Sequence, residues 1–162
     1  MSNPVASRFR RWFDYEQAVH DRAFASLESV PVDNRQGAEY RRAVDLMGHL
    51  VAARAIWLAR LAGGPPLVGP LRPQDARLDD VRAYWNVVLA GWSSYLEDLD
   101  DEALPRVVEY RAGDGNLYQN TAEEILTQLF GHSFYHRGQI AMLVRASGGV
   151  PAETDYIHWL RA

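Results

Sequence analysis

The sequence predicts an all-α fold: a four-helix bundle with a small hairpin or irregular insertion before the fourth long helix and a short C-terminal helix. Three observations predict it. Four long segments repeat apolar side chains at alternating steps of three and four, the spacing of one helix face. Proline and glycine clusters stand between those segments, where a helix must stop. The 162 residues, 48% of them apolar, suffice to bury about two-thirds of the unfolded surface without disulfides, and the chain reads as one domain over residues 1–162.

The first helix is predicted from Val5 to Val30, with Phe9, Phe13, His20, Phe24 and Leu27 on one face and Pro31 as its stop. The second runs from Gly37 to Ala62, with Leu46, Leu50, Ala53, Trp57 and Leu61 in a stripe ended by Gly63-Gly64-Pro65-Pro66. A proline-rich connection to Gln74 is long enough to cross the end of a bundle. The third helix, Leu78 to Leu99, carries Val81, Trp85, Val88, Trp92, Tyr95 and Leu99. Next, Arg106 to Tyr110 and Asn116 to Gln119 flank Gly113-Asp114-Gly115, the pattern of a small hairpin. Thr121-Ala122-Glu123-Glu124 is a capping box that opens the fourth helix, which runs to Ser147 before Gly148-Gly149-Val150-Pro151. A tail helix is expected within Asp155 to Leu160, where Tyr156, Ile157, Trp159 and Leu160 can dock on the bundle.

Composition removes several chemistries. With no cysteine, there is no thiolate nucleophile, iron–sulfur cluster or redox dithiol in the chain. All 17 basic residues are arginine, which excludes a lysine Schiff base and the lysine of a phosphate-binding loop. The net charge of −4, with both signs interspersed, argues against nucleic acid as a partner. Arg10-Arg11 is followed by the polar stretch Trp12 to Arg22 and so does not read as an export signal. No apolar run approaches the about 20 residues of a bilayer span. The expectation is a cytoplasmic protein with a small-molecule substrate and in no contact with membrane.

Among five histidines, His132 and His136 stand four apart, about 40° from each other on a helix face. They share that face with Ile125, Leu129 and Leu143, so both imidazoles are predicted to point into the bundle. Burying an unpaired imidazole costs about 1–3 kcal/mol, which a shared divalent ion would offset. An open catalytic site needs a third protein ligand, and bundle sites draw ligands from facing helices. His49, midway along the second helix, is the best candidate and His20 its main rival. Spacing alone leaves open two core histidines hydrogen-bonded to carbonyls or carboxylates. Ser133 and Phe134 follow His132, so the built-in base of an HExxH protease helix is missing.

Other residues near the pair have smaller expected roles. Gln128 and Gln139 flank it on the helical wheel, and Asp45 lies four before His49; each can orient a ligand or substrate, although Asp45 can equally pair with Arg41 or Arg42. Arg137, about 100° from His136, is expected in a surface ion pair, and Gly138 is expected to permit close helix approach. His158 is expected to cap or pack in the tail, while Tyr135 and Tyr156 can supply a phenolic proton.

The stretch His132-Ser133-Phe134-Tyr135-His136-Arg137-Gly138-Gln139-Ile140, followed by Gly148-Gly149 and Thr154-Asp155-Tyr156, resembles the C-terminal signature of the DinB/YfiT-like family. His49-Leu50 and the alanine-rich run to Trp57-Leu58 are similar to the family's first-histidine segment. The resemblance implies a bundle, often dimeric, in which His49, His132 and His136 bind a divalent ion such as zinc or nickel. It further implies a metal-dependent S-transferase or isomerase chemistry with a low-molecular-weight thiol as cosubstrate, or less directly activation of water for hydrolysis. The alternative of a different class is a non-enzymatic dimeric binding or stress-response module whose ion is structural or sensing.

Overall fold

Four long helices form where the apolar periodicity places them: α1 (Val5–Glu28), α2 (Ala38–Ala62), α3 (Leu78–Glu97) and α4 (Ala122–Ala146), with a short α5 (Tyr156–Trp159) at the end. The computed structural model describes residues 4–65 and 69–162; Pro66 and part of the proline-rich connection fall outside them. α1 and α3 each end two residues before their predicted limits, although Val30 and Leu99 remain buried. Apolar burial therefore outlasts the helical hydrogen bonds there. Between α3 and α4, β1 (Val107–Arg111) pairs antiparallel with β2 (Leu117–Thr121), Tyr110 opposite Tyr118. The expected hairpin forms around the glycine-flanked turn.

Local chemistry explains the helix ends. Thr121 Oγ1 accepts from the Glu124 amide at 3.2 Å, and the Glu124 carboxylate accepts from the Thr121 amide at 2.8 Å, the reciprocal pair of a capping box. Gly63 closes α2 at φ +70°, the left-handed conformation that a Cβ disfavours. α1 is preceded by Pro4, which offers no side-chain acceptor, and Asp101, four residues past the end of α3, supplies one by accepting the Val5 and Ala6 amides at 3.0 and 2.7 Å.

These long-range bonds set the helix directions. Asn34, just before α2, donates to the Ser147 carbonyl at the end of α4, while Arg106, beside the start of α4, donates to the Leu61 carbonyl. α2 and α4 therefore run antiparallel and lie against each other over much of their length. Each also packs against a further neighbour, α2 on α3 and α4 on α1. Gly48 and Gly91 make the close approaches: a Cβ would stand 2.7 Å from Pro73 Cγ at the first and 2.7 Å from Leu58 Cδ2 at the second. Gly138, expected in that role, has nothing within 4 Å of a Cβ position, because it lies on the outer side of α4.

α5 docks through Tyr156 and Trp159, while Ile157 and Leu160, expected to join them, are 50% and 44% exposed. Tyr156 and Trp159 meet Tyr15 edge-on at 5.0 and 5.6 Å between centroids, and Trp12 stacks on Phe130 at 4.1 Å. Among the described residues no helix is long and apolar enough to cross a membrane.

The core also holds charge. Glu16 on α1 is buried, and its carboxylate receives Arg54 of α2, whose Nε donates at 3.0 Å and whose Nη2 meets the second oxygen. Ser133 of α4 donates its hydroxyl to the same carboxylate, and the His20 ring lies 3.5 Å from it. Burial, and then the positive charge of Arg137, pull the Arg54 guanidinium down to about 9. Arg137 corrects an expectation: it is 3% exposed, donates to Tyr15 Oη at 2.9 Å and lies over the Tyr15 and Phe134 rings. The buried stripe of α4 runs through Leu129, Ser133, Arg137, Ile140 and Val144. That places its centre about 80° around the helix from the His132–His136 face.

Candidate metal centre

The antiparallel packing of α2 on α4 brings His49 opposite His132 and His136. Ring centroids stand 4.9 Å (His49–His136), 5.2 Å (His49–His132) and 4.5 Å (His132–His136) apart. One nitrogen from each ring lies within 4.8 Å of the others. His49 is buried at 8% exposure, while His132 and His136 are half-buried. The rings therefore line a cleft at the edge of the core, not its centre as the sequence stripe suggests.

Each ring's outer nitrogen bears on what its inner nitrogen can do. His49 Nδ1–H donates to the Leu71 carbonyl at 2.7 Å, and His136 Nδ1–H donates to Gln139 Oε1 at 2.8 Å. A neutral imidazole with Nδ1 protonated presents a lone pair at Nε2, so both rings keep an acceptor free for a shared ion. His49 Nε2 stands 3.3 Å from His132 Nε2. Two nitrogens on one tetrahedral ion at ordinary zinc–nitrogen distances are separated by about 3.3 Å, so the residues present fit such an ion. Orienting a ligand ring through a carbonyl on its far nitrogen is how metal-binding histidines are commonly held.

Electrostatics favours the neutral, ligating form. Burial lowers His132 from 6.5 to about 4, reinforced by the charges of His136, His49, Arg54 and Arg72. Burial also lowers His136, with His49 and Arg72 adding to the effect and the bond to Gln139 opposing it. The unfolded chain would bind protons that these folded groups refuse, so stability rises with pH across that interval. Metal-free protein is therefore expected to lose stability as pH falls from 6.5 towards about 4. Thermal melts across that window check this, and His132→Asn should flatten the slope; an unchanged slope in the variant would contradict the assignment.

The remaining expectations divide. The cleft, about 590 Å³, is lined by Gln128, Gln139 and Tyr135 among others, and Tyr135 is 66% exposed at its mouth. Tyr156 packs on Tyr15 and Phe130 instead. His20, the rival ligand, is fully buried against Trp85 beside Glu16 and takes no part in the histidine cluster. Burial drives it well below the ordinary imidazole value. Asp45 does not line the cleft and, among the described residues, pairs with neither Arg41 nor Arg42. Its carboxylate accepts the amides of Asp75 and Ala76 at 3.2 and 2.8 Å, fastening the α2–α3 connection to α2. His158 lies in the tail, 3.4 Å from the Glu153 carboxylate.

Sequence reasoning missed Leu71 and Arg72, which the connection carries to the cleft. A backbone acceptor leaves no mark in side-chain spacing, and Arg72 sits in a stretch with no periodicity to orient it.

Comparison with known proteins places the fold. None of the curated proteins compared matches the chain. A crystal structure of a conserved protein from Enterococcus faecalis is similar in fold, with a TM-score of 0.62 at 15% identity, covering 89% of this chain and 97% of that one. The sequence profile of the DinB family matches residues 1–162, and the chain belongs to the DinB family.

Proposed function

We propose that His49, His132 and His136 hold one divalent ion, zinc or nickel, and that the protein uses it to join a small electrophile to a low-molecular-weight thiol or to water. The observation that carries this reading is the convergence of three imidazole nitrogens within 4.8 Å, two with their outer nitrogens already committed to acceptors. Three histidines leave a tetrahedral ion one position for an exogenous ligand. An ion held there would lower the pKa of a thiol or water and supply a nucleophile at neutral pH. Since the chain has no cysteine, the thiol comes from solution.

The chain's own residues have separable tasks. Leu71 and Gln139 fix the tautomers of His49 and His136, the Leu129 and Trp57 side chains give the cleft an apolar wall, and Tyr135 and Gln128 offer polar groups at its rim. Gln139→Ala should lower zinc affinity by about 10–100-fold without changing the fold, and Gln139→Glu, which keeps the acceptor, should lose less. Competition with a chromophoric chelator measures both. Function is tested by metal analysis of untagged protein followed by assay of the loaded form with a thiol and an alkyl halide. Stoichiometric metal with thiol-dependent consumption of the halide supports the reading. Retention of metal by variants lacking any of the three histidines would overturn it.

A further inference from the structure

The wall of the histidine cleft is unusual for a protein that carries 21 acidic residues against 17 arginines. Arg42 of α2 and Arg72 of the α2–α3 connection line it, and among the described residues no Asp or Glu does. Asp45, one turn from both Arg42 and His49, turns its carboxylate to the Asp75 and Ala76 amides and does not line the cleft. Most other arginines lining cavities or core have partners: Arg54 has Glu16, Arg106 has the Leu61 carbonyl and Arg10 has the Leu96 carbonyl. Arg42 and Arg72 are exposed and make no hydrogen bond or ion pair among the described residues.

The charge balance follows. Three neutral imidazoles leave a divalent ion its full charge, unlike sites in which carboxylate ligands cancel part of it. Adding two guanidiniums and no acid gives a concave surface of one sign, which attracts and concentrates anions. Arg72 lines the same cleft as His132 and His136. It directly follows Leu71, whose carbonyl orients His49, so the loop segment that sets the histidine ring also delivers a cation beside it. A guanidinium presents paired donors that match a carboxylate or phosphate.

We infer that the substrate of this cleft is an anion, with a carboxylate or phosphate group held by Arg72 and Arg42 while its reactive carbon faces the three histidines. This deepens the metal-dependent reading above and rests on it for the chemistry, although the arginine contacts themselves do not require the ion.

Calorimetric titration tests it without reference to turnover. Zinc-loaded protein is titrated with succinate, with inorganic phosphate and with the uncharged succinamide, alongside Arg72→Ala, Arg42→Ala and Arg72→Gln; zinc content and circular dichroism are measured for each. At least one anion should bind, succinamide should not, and each alanine variant should bind the anion about tenfold or more weakly at unchanged zinc content. Comparison of succinate with phosphate identifies which group is taken. Anion binding that is equal in wild type and both arginine variants would mean the anion sits on zinc alone and would overturn the inference, leaving the metal site standing. Absence of binding by either anion at full zinc occupancy overturns it likewise. If no zinc is retained, the metal reading fails separately. The same titrations of metal-free protein then decide: arginine-dependent anion binding upholds the anionic subsite, and its absence removes it.

Discussion

Glu16→Ala should cost about 3–5 kcal/mol of stability, the range for breaking a buried ion pair from one side. Arg54 is 5% exposed, and without the carboxylate its guanidinium stays in apolar surroundings, over the Trp92 ring at 5.3 Å, with no counter-charge. Ser133 loses its acceptor at the same time. For a chain of this size the loss corresponds to a fall in Tm of about 6–20 °C. Glu16→Gln keeps an acceptor for Ser133 and should fall between wild type and Glu16→Ala. Combining Glu16→Ala with Arg54→Met, which removes both charges, should recover much of the loss. Thermal and urea unfolding check all three, and a Glu16→Ala protein within about 1 kcal/mol of wild type would show that solvent reaches the pair.

His132→Ala should have the opposite profile. Zinc affinity is expected to fall by more than about a hundredfold, beyond the range for residues that merely orient a ligand, because two imidazoles remain where three converged. Metal-free stability should hold or rise near pH 6, since the ring removed is one that the fold keeps from protonating. His20→Ala is the matched control. Its ring is fully buried against Trp85, so that variant should be destabilised by the cavity and keep its zinc. Metal analysis after dialysis against a weak chelator, beside a thermal melt, separates the two. Equal metal in wild type and His132→Ala would end the metal proposal.

The helices were legible because apolar side chains at steps of three and four identify a buried face whatever it packs against. The capping box at Thr121 and the glycine turn of the hairpin were equally local signals. What sequence misplaced was the direction of the core around α4. Hydropathy treats Arg137, Glu16 and Arg54 as solvent-facing, so the stripe was centred on Ile125, Leu129 and Leu143, the His132–His136 side. The fold also buries Ser133 and Arg137, because Glu16 and Tyr15 of α1 accept their hydrogen bonds. No pattern within one helix reports a partner more than a hundred residues away. Asp45 is anchored in a similarly non-local way: its partners are backbone amides 30 and 31 residues along.

The site was more readable than its support. Four-residue spacing put His132 and His136 on one edge, and the position of His49 midway along the second helix made it the candidate third ligand that the resemblance then supported. The carbonyl of Leu71 and the arginine after it came from a connection whose course depends on tertiary anchoring.

The Glu16–Arg54–Ser133 cluster works as a ruler. Its members come one each from α1, α2 and α4, so sliding any of these rods by a single turn, about 5.4 Å, would strand a charge in oil-like surroundings. Only one axial alignment escapes that penalty. Ser133 is the neighbour of His132 in the chain, and Arg54 lies five positions beyond His49, so the same alignment holds the imidazoles level across the cleft. Precision at the wet edge of this bundle is thereby set in its dry interior.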